Sequence, residues 1–272
     1  LGATDSAPCG AGEREAVTLI VAELGLNHGG DLLVAHDMIR VAKQVGCDAV
    51  KVQNYRTSDF LPKGHKDWGL FEKCEIRAHL RPLREYAHSL DLQFGTTPSS
   101  IRGVREAKRA GVDFLKCGSD QMTHHSMIEA MLSTGIPTWV SCGMATKAEI
   151  EALPDGVHRM LCTSLYPCPA SSANVARMRS GLFDGYSDHT VGIAAATAAV
   201  ALGAKMVEKH FTLSRKLKGS DHAFSADPPT MRMLVRLVRA VERTLGFQSV
   251  MYVEAEEYGR ENWRTPEGGL RR

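Results

Sequence analysis

Short runs rich in β-branched and other apolar residues alternate along this chain with segments whose apolar positions recur every three or four residues. The runs predict strands over 18–27, 48–54, 93–98, 114–119, 138–143, 159–164, 184–189 and 204–211. Helical periodicity predicts helices over 31–46, 75–90, 100–110, 123–134, 146–153, 174–180 and 192–202, and a last one over 227–245. Asp31, Thr146 and Asp227 stand at N-cap positions, with Glu149 completing a capping box after Thr146. Gly46, Gly111, Gly135 and Gly203 each follow a helical pattern and precede a strand, where a left-handed C-cap is wanted.

Eight strand–helix units in succession between residues 17 and 246 are the pattern of parallel α/β structure. Their number and spacing match a closed (β/α)8 TIM barrel, with an open doubly wound sheet as the alternative. The predicted organisation is a flexible leader over 1–16, the barrel over 17–246 and a polar tail over 247–272. The long connection over 55–73, with Trp68 and Phe71, is expected to be a loop of lid or substrate type.

Composition narrows the function classes. The 33 Lys and Arg nearly balance the 31 Asp and Glu, so the overall charge gives no reason to expect a nucleic acid or an anionic membrane as partner. The most apolar stretch, 191–207, is interrupted by Gly192, Gly203 and Lys205, and reads as a buried helix followed by a buried strand rather than a membrane span. The first residues lack the basic head and apolar core of a signal peptide. Cys9, Cys47, Cys74, Cys117, Cys142, Cys162 and Cys168 form no CxxC pair, which suits reduced thiols in a cytoplasm and argues against a thiolate zinc site.

In a barrel, chemistry collects where the strands end. Every predicted strand here ends in polar residues: Glu23, Asn27 and His28; Lys51 and Gln53; Thr96 and Thr97; Lys116, Ser119 and Gln121; Ser141; Thr163, Ser164 and Tyr166; Ser187, Asp188 and His189; Glu208, Lys209 and His210. Taken singly, a Ser or Thr at such a place is usually a turn or cap residue. Eight polar ends together point to a rim that binds something. Lys51 and Lys116, with Thr97, Ser119, Ser141 and Ser187 as donors, suit a compact anion. The competing reading pairs each lysine with a carboxylate such as Glu23 or Glu208. His189 and His210 end adjacent strands and suit a shared divalent ion with open positions, with Glu208 and Asp221 as further or outer ligands and Mn²⁺ or Mg²⁺ favoured over tetrahedral zinc. Structural roles for the two histidines are the alternative.

The segments AELGLNHGG (22–30), DAVKVQNY (48–55), FGTTPSS (94–100), FLKCGSDQMTH (114–124), WVSCGMAT (139–146), LCTSLYPCP (161–169), GYSDHTVGI (185–193), GAKMVEKHFTL (203–213) and KGSDHAFSADP (218–228) together resemble the sialic acid synthase family. The resemblance implies a cytoplasmic transferase that condenses phosphoenolpyruvate with an aldehyde sugar, N-acetylmannosamine-like or a diacetamido hexose, to a sialic-acid-type 3-deoxy-2-ulosonic acid and phosphate. It implies a divalent metal, Mn²⁺ or Mg²⁺, on His189 and His210, and phosphoenolpyruvate against Lys51, Thr97, Lys116, Ser119, Ser141 and Ser187. The sugar falls near Gln53, Gln121, Ser164, Tyr166 and Asp221, and Glu23 takes the place of a catalytic carboxylate. The resemblance also allows a homodimer.

The departures lie mostly on the acceptor side. Asp120 and Gln121 replace a usual Gly-Glu pair, Ser164 stands where many members have Asn, Leu161 replaces a His, and the loop after the second strand is shorter. A kept reaction with an altered acceptor is the expectation, and reduced activity the alternative. Family members typically continue into a small antifreeze-like domain that lends an arginine to a partner's sugar site, whereas this sequence stops in RTPEGGLRR, which predicts an open acceptor side. Two rival functions remain on the same residues: a pyruvate aldolase using Lys51 or Lys116 as a Schiff base, and a non-catalytic sugar- or phosphate-binding barrel.

Overall fold

A computed structural model describes residues 17–245 and 253–265. Eight parallel strands close into a barrel in chain order: β1 (Leu19–Glu23), β2 (Ala49–Asn54), β3 (Gln93–Pro98), β4 (Phe114–Cys117), β5 (Thr138–Ser141), β6 (His158–Cys162), β7 (Gly185–Asp188) and β8 (Met206–His210). β8 pairs back onto β1, with Leu19 opposite Met206 and Glu23 opposite His210, so the sheet has no free edge. This is the (β/α)8 barrel, and the doubly wound alternative falls.

The helices α1 (Leu32–Val45), α2 (Trp68–Lys73), α3 (Leu80–Ser89), α4 (Ile101–Ala110), α5 (His125–Leu132), α6 (Lys147–Glu151), α7 (Ala194–Ala201) and α8 (Pro228–Leu245) follow the strands, and α9 (Glu257–Asn262) lies beyond them. The predicted N-caps form, whereas two of the four predicted glycine C-caps do not, since α5 is capped by Ser133 and α7 by Leu202, ahead of Gly135 and Gly203. Asp31 accepts from the Leu33 and Val34 amides, and Thr146 and Glu149 make the reciprocal capping box. Asp227 accepts from the Thr230 amide just ahead of Pro228, which starts α8 where a missing N–H costs nothing. Gly46 and Gly111 cap α1 and α4 in the left-handed conformation.

Side-chain parity divides the core in two. Outward-facing residues such as Ile20, Ala22, Val50, Val52, Phe94, Leu115, Val140, Leu161 and Val207 pack under the helices. Inward-facing Val21, Ala49, Phe114, Trp139, Met160 and Met206 form a separate apolar plug inside the barrel. Gly95 makes room for it, because a Cβ there would meet the Phe114 ring at 2.1 Å.

Four expectations change. The strands stop up to four residues short of their predicted ends, since the polar residues beyond bond within their own loops, as when Asp188 accepts from both the amide and hydroxyl of Thr190. The 174–180 segment is a 3-10 helix (Val175–Ser180): Asn174, at φ 47°, lies outside the helical region, and Gly181 closes the segment at φ 72°. The 75–90 helix starts only at Leu80: Glu75 instead accepts from the Thr57 amide, and Pro82 fits only in a first turn. The 55–73 connection carries α2 and a 3-10 turn (Thr57–Asp59), so it is a partly helical loop.

The 191–207 stretch resolves into α7 and β8, and no helix among the described residues is long and apolar enough to cross a membrane. Within the predicted tail, residues 253–265 hold a 3-10 turn (Glu254–Glu256) and α9. The leader 1–16 with Cys9, and residues 246–252 and 266–272, lie outside the described residues.

Candidate active site

One step up each strand from the apolar plug, the same inward parity places Glu23, Lys51, Thr97, Lys116, Ser141, Cys162, Ser187 and Glu208 on the floor of a cavity of about 520 Å³, with His210 a further step up β8. Gln53, Ser119, Gln121, Ser164, Tyr166 and His189 complete its polar lining. Every predicted site residue except Asp221 therefore faces one space. Asp221 sits behind it, with its carboxylate 3.4 Å from His210 Nδ1.

The floor is a buried charge network. Lys51 Nζ lies 2.8 Å from Glu23 Oε2, 2.7 Å from Thr97 Oγ1 and 3.6 Å from Glu208 Oε2. Lys116 Nζ and Ser187 Oγ both donate to Glu208 Oε1, at 3.0 and 3.1 Å. The carboxylate pairing read as the competing role of the lysines is present, and both lysines also line the cavity. Burial disfavours ionised Glu208, but Lys116 and Lys51 outweigh it and hold its carboxyl far below the usual range. Burial dominates at Glu23 and, with the nearby Glu208 charge, pushes its carboxyl up despite Lys51. Burial works against charge on Lys116 as well, and Glu208 more than compensates, so its ammonium is held above the usual lysine range. Two carboxyls pushed in opposite directions are the arrangement from which acid–base roles are made. Glu23 Oε1 and Ser141 Oγ have no hydrogen-bond partner among the described residues, so the floor keeps capacity for a polar ligand.

Above it, the His189 and His210 rings stand 5.6 Å apart between centroids. Thr163's carbonyl lies 2.9 Å from His189 Nδ1 and can only accept, which puts the proton on Nδ1 and leaves the Nε2 lone pair free. The Asp221 carboxylate stands beside His210 Nδ1, which makes no hydrogen bond among the described residues, and the nearby His210 holds the Asp221 carboxyl down against the effect of burial. Gly25, at φ 50°, lets the β1–α1 turn pass: a Cβ there would meet Asp221 at 3.0 Å and His210 at 3.1 Å. Tyr166 packs on His189 at 4.2 Å and Phe224 on His210 at 5.1 Å, fixing both rings. Among the described residues no third His, Cys, Asp or Glu joins them in a metal-holding group. The donor set fits a divalent ion with two protein nitrogens and open positions.

Other predicted residues serve the loops. Ser119 Oγ accepts from the Gly143 amide at 3.0 Å, and Gln121 Nε2 donates to the Ser99 carbonyl at 3.1 Å. Thr96, at a polar strand end, points away from the cavity and donates to the Val52 carbonyl. Lys209 and Asp188 form a buried pair outside the barrel at 2.7 Å. The sequence reading considered Glu208 only as a lysine partner or extra ligand, and passed over Cys162. Both were within reach, since each lies two residues along a strand from another inward position, His210 and Met160. Tyr55, Phe60, Leu61 and Phe71 also line the cavity, and no strand-end rule reaches them because a loop folds them in.

Comparisons with known proteins identify the family. The sequence profile of the NeuB family matches residues 38–249. An uncharacterised protein of Methanocaldococcus jannaschii is 37% identical over 243 residues, covering 84% of this chain and 72% of that protein. The N-acetylneuraminate-9-phosphate synthase of Homo sapiens is 35% identical over 255 residues, covering 84% and 71%. The crystal structure of the N-acetylneuraminic acid synthetase from Leptospira borgpetersenii, in complex with citrate, superposes with a TM-score of 0.85 at 30% identity over 91% of this chain and 93% of that one. With the barrel and these matches in agreement, the chain belongs to the NeuB family and is an enzyme of the sialic acid synthase type.

Proposed function

We propose that this chain condenses phosphoenolpyruvate with the aldehyde of an open-chain aldose, N-acetylmannosamine-like or a diacetamido hexose, giving a sialic-acid-type 3-deoxy-2-ulosonic acid and inorganic phosphate. The observation that carries this reading is the pair of buried lysines, Lys51 and Lys116, in the same cavity as His189 and His210. An anion site beside an aldehyde site is what the reaction requires. Lys51, Lys116, Thr97, Ser119, Ser141 and Ser187 hold the phosphate and carboxylate of phosphoenolpyruvate and aim its C3 at the aldehyde carbon. A C–C bond forms, positive charge develops at C2, and the floor carboxylates stabilise it. Water then adds at C2, and one of its protons passes through Glu23 Oε1 to the oxygen of the former aldehyde. The C2–O bond to phosphate breaks as the C2 hydroxyl gives its remaining proton to the departing phosphate and becomes the ketone. A divalent ion, Mn²⁺ or Mg²⁺, held by His189 and His210, supplies Lewis-acid polarisation of the aldehyde oxygen. Gln53, Gln121, Ser164 and Tyr166 orient the aldose, and Asp221 keeps His210 in place.

The Schiff-base rival needs a neutral lysine nucleophile, yet Lys116 is held charged by Glu208 and Lys51 is paired with two carboxylates. The catalytic unit is the barrel of residues 17–246, flanked by 1–16 and 247–272. Free thiols at all six described cysteines suit a cytoplasmic setting, and a homodimer is the assembly to test first.

The test is incubation with phosphoenolpyruvate, Mn²⁺ or Mg²⁺, and a panel of 2-acetamido and 2,4-diacetamido hexoses, with phosphate release as the readout. Release that stops with EDTA, is lost in His189→Ala and in His210→Ala, and leaves no borohydride-trapped lysine is the expected result. No release with any aldose, while divalent-ion binding persists, overturns the condensation.

A further inference from the structure

The cavity has two unlike surfaces. Its floor is charged, whereas one wall is apolar and consists of Tyr55, Phe60, Leu61 and Phe71 from the connection after β2, with Pro98 at the end of the neighbouring β3. The three aromatic rings meet edge to face, Tyr55–Phe60 at 5.3 Å, Tyr55–Phe71 at 5.8 Å and Phe60–Phe71 at 5.0 Å. Tyr55 Oη donates to the Phe71 carbonyl, so its polar end is already engaged. The connection is pinned at several points. Glu75 accepts from the Thr57 amide, Ser100 donates to Asp59, and Arg56 is paired with Glu106. Phe60 nevertheless stays 38% exposed, which leaves apolar surface facing solvent in a fixed place.

We infer that this wall selects the acceptor, favouring an unphosphorylated aldose whose end remote from the aldehyde carries an apolar carbon. The inference rests on the condensation reading above and goes on to name the acceptor class. Phosphoenolpyruvate, with two anionic groups, belongs on the charged floor, so the wall is left for the second substrate. A phosphate or hydroxyl pressed against it loses water and gains no partner, whereas a methyl group gains by burial. Lys51 and Lys116 are the lysines and arginines among the described residues lining the cavity, and both are committed to floor carboxylates. The wall therefore offers a phosphorylated end no counter-charge.

Three aldoses that differ only at C6 test this: 2-acetamido-2,6-dideoxymannose, 2-acetamido-2-deoxymannose and the 6-phosphate of the latter. Each is titrated calorimetrically into the full chain with Mn²⁺ and inorganic phosphate present, the phosphate filling the anion floor. The expected order is the 6-deoxy sugar tightest, by about fourfold over the 6-hydroxy sugar, and the 6-phosphate weaker again by about tenfold. Phe60→Leu keeps the wall apolar and preserves the order. Phe60→Lys places a cation on it and brings the 6-phosphate ahead of the 6-hydroxy sugar. In both variants the Kd for phosphoenolpyruvate stays within about twofold of wild type, which separates a changed wall from a damaged fold. A 6-phosphate that binds wild type as tightly as the 6-hydroxy sugar, an unchanged order in Phe60→Lys, or no aldose binding at all overturns the inference. Phosphate release is scored separately. Its absence with the binding order intact defeats the condensation reading and leaves the wall's selectivity standing, whereas release with the wrong binding order defeats the wall alone.

Discussion

Glu208 is the keystone of the cavity floor, and Glu208→Gln tests that role. The substitution removes a buried negative charge that meets Lys116 at 3.0 Å and Lys51 at 3.6 Å, and weakens the acceptor for Ser187. At an effective dielectric of about 20, the two gross attractions are roughly 5 kcal/mol each. Most of that is offset by desolvation of the three ions, and stranding one side of a buried pair typically costs about 3–5 kcal/mol. The lower end applies here, because Lys51 keeps Glu23 at 2.8 Å and the Gln carbonyl still accepts from Lys116. A loss of about 3 kcal/mol lowers Tm by roughly 6–12 °C in a chain of this size. The ligand response moves the opposite way. Phosphoenolpyruvate brings negative charge to a floor that has lost one of its two carboxylates, so it raises the Tm of the variant by more than that of wild type. Urea and thermal unfolding followed by circular dichroism, with and without one fixed concentration of phosphoenolpyruvate, measure both effects. A variant within about 1 kcal/mol of wild type, or a smaller ligand shift in the variant, refutes the assignment of Glu208 as the shared counter-ion.

Two further predictions concern the scaffold. Burial lowers the His28 imidazole to about 4, and its Nδ1 accepts from the Gly30 amide, so it folds neutral. Its folded value lies below the unfolded one, so the stabilisation is full above pH 6.5 and is lost as pH falls toward 4. That amounts to about 2 kcal/mol between pH 7.5 and pH 5. The urea midpoint of wild type should fall more steeply with acid than that of His28→Gln, and parallel slopes would count against it. Gly95→Ala drives a methyl into the Phe114 ring, where its Cβ would lie 2.1 Å from the nearest ring atom. It should destabilise by about 1–3 kcal/mol or more, read as a drop in the urea midpoint, and a neutral result would mean that the plug is loosely packed.

Much of this protein was legible in the order of its residues. The alternation of period-two and helical patterns predicted all eight strands. A run such as 48–54 keeps one parity inward and one outward whatever surrounds it, so Lys51 and Gln53 were bound to face the same way as Ala49. Capping at Asp31 and Thr146 was equally readable, because a side chain that bonds an amide two or three residues on needs no distant partner. The strand-end rule gathers the lysines, serines and histidines of the cavity from sequence alone. Closure of the sheet, with Leu19 opposite Met206, is a contact between residues at opposite ends of the barrel sequence, and no local pattern contains it. The same holds for Glu208, which bridges Lys51 and Lys116 only because the closed barrel aims strands 2, 4 and 8 at a common centre. It holds again for the aromatic wall, since Phe60 and Phe71 reach the cavity through a connection whose path is set by Glu75, Ser100 and Glu106. Local stereochemistry determined which elements form and which face each residue takes; only the three-dimensional closure of the barrel decided which charges became neighbours, because their energies depend on distance and burial rather than on separation along the chain.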